Sequence, residues 1–385
     1  MNAKTRIGDA VDRLAPLLLE VSHRIHARPE LAFAEHEAVA ILCDAAAREG
    51  LALEHPVHGL ETAFQAEFGE GAARVAILSE YDALPGLGHA CGHNLIAAIG
   101  LGAALALRSL DEDLPGRVRY LGTPAEERGC GKEWLARAGA FEGVDAALML
   151  HPAGLNAKAI RTLCLAEVEV EYAGRAAHAS VNPEAGVNAL DALVLGYQAL
   201  AQLRQHLRPT EKVHGVFSEA GAAPNIVPEK TRARYYVRAE SEPMLRALKE
   251  RVAKCLEAAA SATGCEVRLG WSEADYLDMR VNEPLADAYE GYLATLGRET
   301  IDYRLLPHGT TDMANVSHRT PVLHGLIACS PLDVVIHDPR FALCARSADG
   351  DRAIVDGAKA LAWTAFDVLA SPDLRAEIRE AQPCR

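Results

Sequence analysis

Before Cys164 the apolar positions come in short unbroken runs. Arg74-Val75-Ala76-Ile77-Leu78, Arg117-Val118-Arg119-Tyr120-Leu121-Gly122 and Val144-Asp145-Ala146-Ala147-Leu148-Met149-Leu150 have strand length, and the last is of the kind found in parallel sheets covered on both faces. Leu95 to Leu107 is apolar, rich in Ala and Gly and too short to span a bilayer, so it predicts a helix buried against that sheet. Near residue 164 the pattern changes. Leu165-Ala166-Glu167-Val168-Glu169-Val170-Glu171-Tyr172 alternates apolar and acidic residues, as a half-buried strand does. A helix over about 184–206, strands over 213–218 and 230–238, a helix over about 242–262 and a strand over 265–270 follow, giving the order βαββαβ, a split βαβ sandwich. Arg232, Arg234 and Arg238 share one face of their strand, and Glu167, Glu169 and Glu171 share one face of theirs, so adjacent antiparallel placement would pair the charges. The outer segments 1–163 and 275–385 then read as one α/β domain interrupted by an inserted domain, 164–274. Val334-Val335-Ile336 adds a last apolar run, closing on His337.

With 385 residues, half of them hydrophobic, the chain can bury a large core, and its length suits two domains. A formal charge of −14 opposes nucleic acid and anionic membranes as partners. Nine cysteines, an odd number without framework spacing, predict reduced thiols and a cytoplasmic location. Glu20 and His23 interrupt the only early apolar run, Leu14 to Val21, so no signal peptide is expected.

Chemistry concentrates where the predicted strands end. His89-Ala90-Cys91-Gly92-His93-Asn94 lies at a strand-to-helix turn, and Gly92 permits the tight backbone that would aim Cys91 and His93 at one point. Taken alone, Cys-x-His also describes a buried thiol beside a structural histidine. The arrangement recurs, however: the second strand runs into Thr123-Pro124-Ala125-Glu126-Glu127, and the third ends at His151-Pro152. In open α/β sheets the crevice beyond the carboxyl ends of the strands is the usual binding site, so these groups can converge there. Glu126 and Glu127, read as an extended segment, would point in different directions.

Ser79-Glu80-Tyr81-Asp82-Ala83-Leu84-Pro85, then His89 to Asn94, then Pro124 to Glu127, then a late His, resembles the aminoacylase and carboxypeptidase superfamily, specifically the amidohydrolase branch of metallopeptidase family 20. That branch includes hippurate, indole-acetyl-amino-acid and p-aminobenzoyl-glutamate hydrolases. Arg24 to Leu31 and Gly309-Thr310-Thr311-Asp312 extend the resemblance over nearly the whole chain. It implies two divalent ions, Zn²⁺ or Mn²⁺ with Co²⁺ as a further candidate, bridged by Cys91 and held by His93, Glu127, His151 and His337. It implies Glu126 as general base and Asp82 as the carboxylate orienting a ligand His. In the inserted domain, which the family uses to dimerise and to cover the active site, it implies that His178 polarises the scissile carbonyl across a homodimer and that Asn225 contacts substrate. Gly309, Thr310 and Thr311 would bind a substrate carboxylate through backbone N–H groups.

The other histidines receive no metal role, although His89 and His308 adjoin motifs. Glu80 and Asn94 stand where Asp is usual in this branch, and both resemble its p-aminobenzoyl-glutamate hydrolase and dipeptidase-like members. The expected reaction is metal-dependent hydrolysis of an amide or peptide bond in a small N-acyl amino acid, aryl-acyl glutamate or dipeptide. A second reading is an aminohydrolase that removes an amine from a non-peptide substrate with the same site, because fold does not determine function. A non-enzymatic binding protein is disfavoured by the full ligand set and Glu126.

Overall fold

The computed structural model describes residues 2–382, and in it the chain opens with helices α1 (Ala3–His26) and α2 (His36–Arg48). Asn2 caps α1 by accepting from the Lys4 N–H at 3.1 Å, and Ile7, Val11, Leu14, Leu18, Val21 and Ile25 form its buried stripe at helical spacing. Then come β1 (Phe64–Gly69), β2 (Arg74–Glu80), α3 (His93–Arg108), β3 (Arg117–Thr123), α4 (Gly131–Arg137) and β4 (Ala146–Ala153). The inserted unit holds β5 (Cys164–Ala173), α5 (Ala189–Arg204), β6 (Lys212–Glu219), β7 (Lys230–Ala239), α6 (Glu242–Thr263) and β8 (Glu266–Trp271). The chain returns through α7 (Glu283–Thr295), α8 (Met313–Ser317), β9 (Val322–Ala328), α9 (Pro339–Cys344), α10 (Ala348–Ala370) and α11 (Pro372–Ala381). Two compact units result, 1–161 with 279–385, and 162–278.

In the first unit the strand order is β1-β3-β2-β4-β9, with β3, β2, β4 and β9 parallel and β1 antiparallel at the edge. The predicted apolar helix is α3, buried along its whole apolar length between α1, α10 and β2. Because β2, β3 and β4 are neighbours and parallel, their carboxyl ends open on the same side.

In the second unit the order is β6-β7-β5-β8, all antiparallel, which is the ferredoxin-like arrangement that βαββαβ connectivity predicts. Val168, Val170, Tyr172, Tyr235 and Val237 pack against Leu193, Leu200, Leu248, Val252 and Leu256 of α5 and α6. The opposite face carries the charges: Glu171 pairs with Arg232 in register and Glu169 with Arg234, and Arg232 Nη2 lies 2.6 Å from Glu171 Oε2. Arg234 reaches Glu167 diagonally at 3.8 Å.

Three local readings change. The run Val334-Val335-Ile336 forms no strand, and Val335 and Ile336 are exposed; the outer parallel strand is β9, whose apolar run the sequence pattern alone does not single out. Glu126 and Glu127 lie in a turn rather than on an extended segment. The first helix of the inserted unit starts at Ala189, because Pro183–Ala185 makes a 3₁₀ turn and the Asn188 side chain caps the helix.

Candidate metal centre

Glu80 ends β2, and the loop after it carries Asp82 before returning through Cys91 to His93, the first residue of α3. Gly92 makes that return possible. Its φ is +80°, and a Cβ there would lie 2.5 Å from Pro152 Cγ, so the turn can press against the end of β4 only without a side chain. His151, within β4, donates from Nδ1 to the Pro152 carbonyl at 2.8 Å, which leaves Nε2 as a lone pair 3.5 Å from Cys91 Sγ. Burial, then the neighbouring His93, pulls the His151 pKa down to about 4, so the ring is neutral and in its ligating form.

His93 is fully buried, and its Nδ1 donates to Asp82 Oδ1 at 3.1 Å. The other oxygen of Asp82 accepts from the Glu127 N–H at 2.9 Å, so one carboxylate orients a ring and a turn together. His93 Nε2 lies 3.1 Å from Glu80 Oε1, 3.7 Å from Glu127 Oε1 and 3.9 Å from Glu126 Oε2. Burial opposes charge on this ring, but Glu80 and then Cys91 outweigh it and hold the pKa well above the imidazole range; the surroundings favour a cation at Nε2.

The turn after β3 depends on a residue that no motif in the sequence marks. Ala125 has a left-handed φ of +60°, and its N–H donates at 2.8 Å to the buried Glu35, whose second oxygen accepts from Thr62 Oγ1 at 2.7 Å. Burial pushes the Glu35 carboxyl up to about 7. Beyond that turn, Glu127 Oε1 lies 3.6 Å from Nε2 of the half-exposed His337, whose own N–H donates to the Ala90 carbonyl at 2.8 Å.

Of three groups of donor atoms within 4.8 Å of one another among the described residues, two are candidate ligand triads built on Cys91, one with His93 and His151 and one with Glu127 and His337. They share Cys91 Sγ. His93 Nε2, Glu127 Oε1 and Glu80 Oε1 are buried without a hydrogen-bond partner. Such atoms cost about 1–3 kcal/mol each unless something answers them, and a cation does so for all three. Burial also pushes the Cys91 thiol well up, so a thiolate here needs a positive neighbour. A thiolate, imidazoles and carboxylates suit a pair of divalent ions.

Glu126 is buried in the same place; burial, then the charges of Glu80 and Glu127, push its carboxyl well above the usual range. Asn94 is buried too, donating to Ser22 Oγ at 2.8 Å and to the Ala345 carbonyl at 3.0 Å, a pair of donations that Asp at this position lacks. The Gly309 N–H is engaged by the Arg161 carbonyl at 2.8 Å, and Thr311 Oγ1 accepts from the Met313 N–H at 3.2 Å. Thr310 Oγ1 donates to the Gly309 carbonyl at 2.9 Å. Within the second unit, His178 and Asn225 are exposed neighbours, joined where the Ala179 N–H donates to the Asn225 carbonyl at 3.0 Å. His89 is buried, and burial takes its pKa down to about 3. His324, given no role from sequence, is buried on β9 with its ring centroid 5.8 Å from that of His151. No described helix is long and apolar enough to cross a membrane.

Residues 76–365 match the model of peptidase family M20/M25/M40. The chain is 40% identical to mouse (Mus musculus) Xaa-Arg dipeptidase, over 99% of this chain and 92% of that protein. It is 33% identical to a p-aminobenzoyl-glutamate hydrolase polypeptide of Escherichia coli, over 72% of this chain and 62% of the relative. A crystal structure of a dinuclear metal binding peptidase from this family in Bacillus subtilis superposes with a TM-score of 0.70 at 22% identity, covering 93% of this chain and 99% of the other. These relatives support amide or peptide hydrolysis and not the aminohydrolase reading. The chain therefore belongs to peptidase family M20/M25/M40 and is a metal-dependent hydrolase of amide or peptide bonds.

Proposed function

We propose that this protein is a dinuclear dipeptidase of the cytoplasm, cleaving small dipeptides with a basic C-terminal residue, with N-acyl amino acids and aryl-acyl glutamates as the neighbouring substrate classes. The observation that carries the metal-centre reading is the pair of ligand triads sharing Cys91. Cys91, His93, Glu127, His151 and His337 hold the ions, with Zn²⁺ favoured by the thiolate and Mn²⁺ or Co²⁺ by the carboxylates. The preference for a basic C-terminal residue rests on 40% identity to a protein named for Xaa-Arg substrates, and the net charge of −14 favours cationic ligands.

When bound, the ions supply Lewis acidity and make a water acidic enough to attack at neutral pH. Glu126, buried beside the donor cluster, would take the proton of that water and pass it to the leaving amine. Asp82 keeps Nε2 of His93 directed at the centre. His178 stabilises the oxyanion, Asn225 holds the substrate, and the loop Gly309, Thr310 and Thr311 meets its carboxylate, with Gly309 shaping the loop since its N–H is engaged.

A homodimer formed through the inserted unit fits its exposed apolar face. β6 is an edge strand with Val216 60% and Phe217 43% exposed, next to exposed Val194, Leu195 and Tyr197 on α5. A cytoplasmic location fits the eight cysteines that stand outside any disulfide among the described residues.

The test is hydrolysis by apoprotein reconstituted with each metal, screened against Xaa-Arg and Xaa-Lys dipeptides, neutral dipeptides, N-acyl amino acids and aryl-acyl glutamates, with primary-amine release as the readout. Basic dipeptides are expected to give the highest kcat/KM. Faster turnover of neutral or aryl-acyl substrates overturns the specificity, and metal-independent turnover overturns the metal centre.

A further inference from the structure

Glu80 ends β2 completely buried, and its two oxygens have different surroundings. Oε2 accepts from the ammonium of Lys132, itself fully buried in α4. The same ammonium donates to Asp312 Oδ1 at 2.7 Å, and the Lys132 backbone N–H donates to Asp312 Oδ2 at 2.8 Å. Asp312 thus grips Lys132 at both ends, and Lys132 fixes the rotamer of Glu80. An isolated buried ammonium is costly, and these two carboxylates compensate it.

Glu80 Oε1 has no hydrogen-bond partner. It faces His93 Nε2 at 3.1 Å, and that nitrogen has no hydrogen-bond partner either. With Nδ1 of His93 donating to Asp82, Nε2 is the nitrogen turned to Glu80 Oε1, and in the ligating form of the ring its lone pair and the carboxylate oxygen converge on one fully buried gap. A proton between them would make a hydrogen bond, but the contact lacks that geometry. Two atoms bound to one Zn²⁺ at about 2.1 Å each, at roughly 90–110°, lie about 3.0–3.4 Å apart, which is the spacing found. Glu80, His93 and Glu126 also bring one donor atom each within 4.8 Å of one another.

We infer that Glu80 is an additional carboxylate ligand of the ion held by His93, and that Lys132 and Asp312 are its positioning residues. The inference rests on the metal-centre reading. A hard oxygen at this ion moves its preference toward Mn²⁺ relative to a site of thiolate and imidazole alone. Lengthening Asp to Glu at this position, the departure noted in the sequence, lets the carboxylate touch Lys132 and the metal gap at once.

The experiment is equilibrium dialysis of apoprotein with Mn²⁺ and with Zn²⁺, read by elemental analysis, together with the absorption spectrum of the Co²⁺-loaded protein. Native protein that binds no ion defeats the metal-centre reading itself, independently of Glu80. If it binds two, Glu80→Gln should leave one ion tightly bound, weaken the other by about tenfold or more, with Mn²⁺ losing more than Zn²⁺, and change the Co²⁺ spectrum. Lys132→Met should weaken the same ion, and Lys132→Arg should restore much of the loss. The retained ion, with Glu127 and His337, reports that the variant is folded. If Glu80→Gln does not fold, the double variant Glu80→Gln/Lys132→Met, which removes both charges, is read in the same way. Native Kd values within twofold and an unchanged Co²⁺ spectrum in the folded Glu80 variant overturn the proposal and leave Glu80 as an ion-pair partner of Lys132.

Discussion

Asp82 Oδ1 accepts from His93 Nδ1 at 3.1 Å, and this bond decides which ring nitrogen faces the ligand cluster. Removing the charge while keeping the shape should loosen the ring. Asp82→Asn is therefore expected to lower metal affinity by about 10–100-fold with the fold retained, measured by dialysis against a chelator. Unchanged affinity would show that packing alone orients His93.

Glu126→Gln should keep both ions and lose about 10²–10⁴-fold in kcat, since an amide cannot take up the proton of the water. Elemental analysis beside single-turnover kinetics separates the two effects. Near-native turnover would move the general base to another residue.

Glu35 gives the clearest pH dependence of stability. Its carboxyl is raised from 4.5 to about 7, so the folded state holds its proton more tightly than the unfolded chain does. The resulting stabilisation is fully present below pH 4.5 and is lost as pH rises through about 7, an effect on the order of 3 kcal/mol. Glu35→Gln should flatten urea-unfolding stability across that window relative to the native protein. Parallel stability curves for the two proteins would refute the assignment.

Gly92→Ala combines a strained φ with a Cβ 2.5 Å from Pro152 Cγ, and should cost about 2–4 kcal/mol. Thermal unfolding of the metal-loaded variant measures it. A loss below about 0.5 kcal/mol would mean that the turn relaxes freely, since changes of that size are ordinary at surface sites.

His178 and Glu126 belong to different units of the chain. If His178 serves the neighbouring protomer, mixing inactive His178→Ala chains with inactive Glu126→Gln chains should restore activity, because one site of each mixed dimer combines an intact Glu126 with an intact partner histidine. No recovery after verified exchange of protomers would sink the shared site.

The parts of the site that are legible in the sequence are those written locally. Cys91, Gly92 and His93 sit in consecutive positions, and the glycine between the two donors announces the tight turn that the φ of +80° displays. Glu127 and His151 are visible because they follow apolar runs of strand length. The run before His337 suggests a strand, yet Val335 and Ile336 face outward in a loop, because a short apolar run carries no information on whether a neighbouring strand is there to pair with it.

The sequence by itself determined the runs of β2, β3 and β4, the buried helix α3, the βαββαβ order of the insertion, the charged face shared by β5 and β7, and the candidate ligand types at the ends of the strands. Tertiary structure alone decided what surrounds those ligands. Glu35 meets Ala125 from 90 residues away, and Lys132 meets Asp312 across 180. Neither pair leaves a periodic trace, because a buried carboxylate or ammonium is acceptable only once the fold brings its partner, and that partner can lie anywhere in the chain.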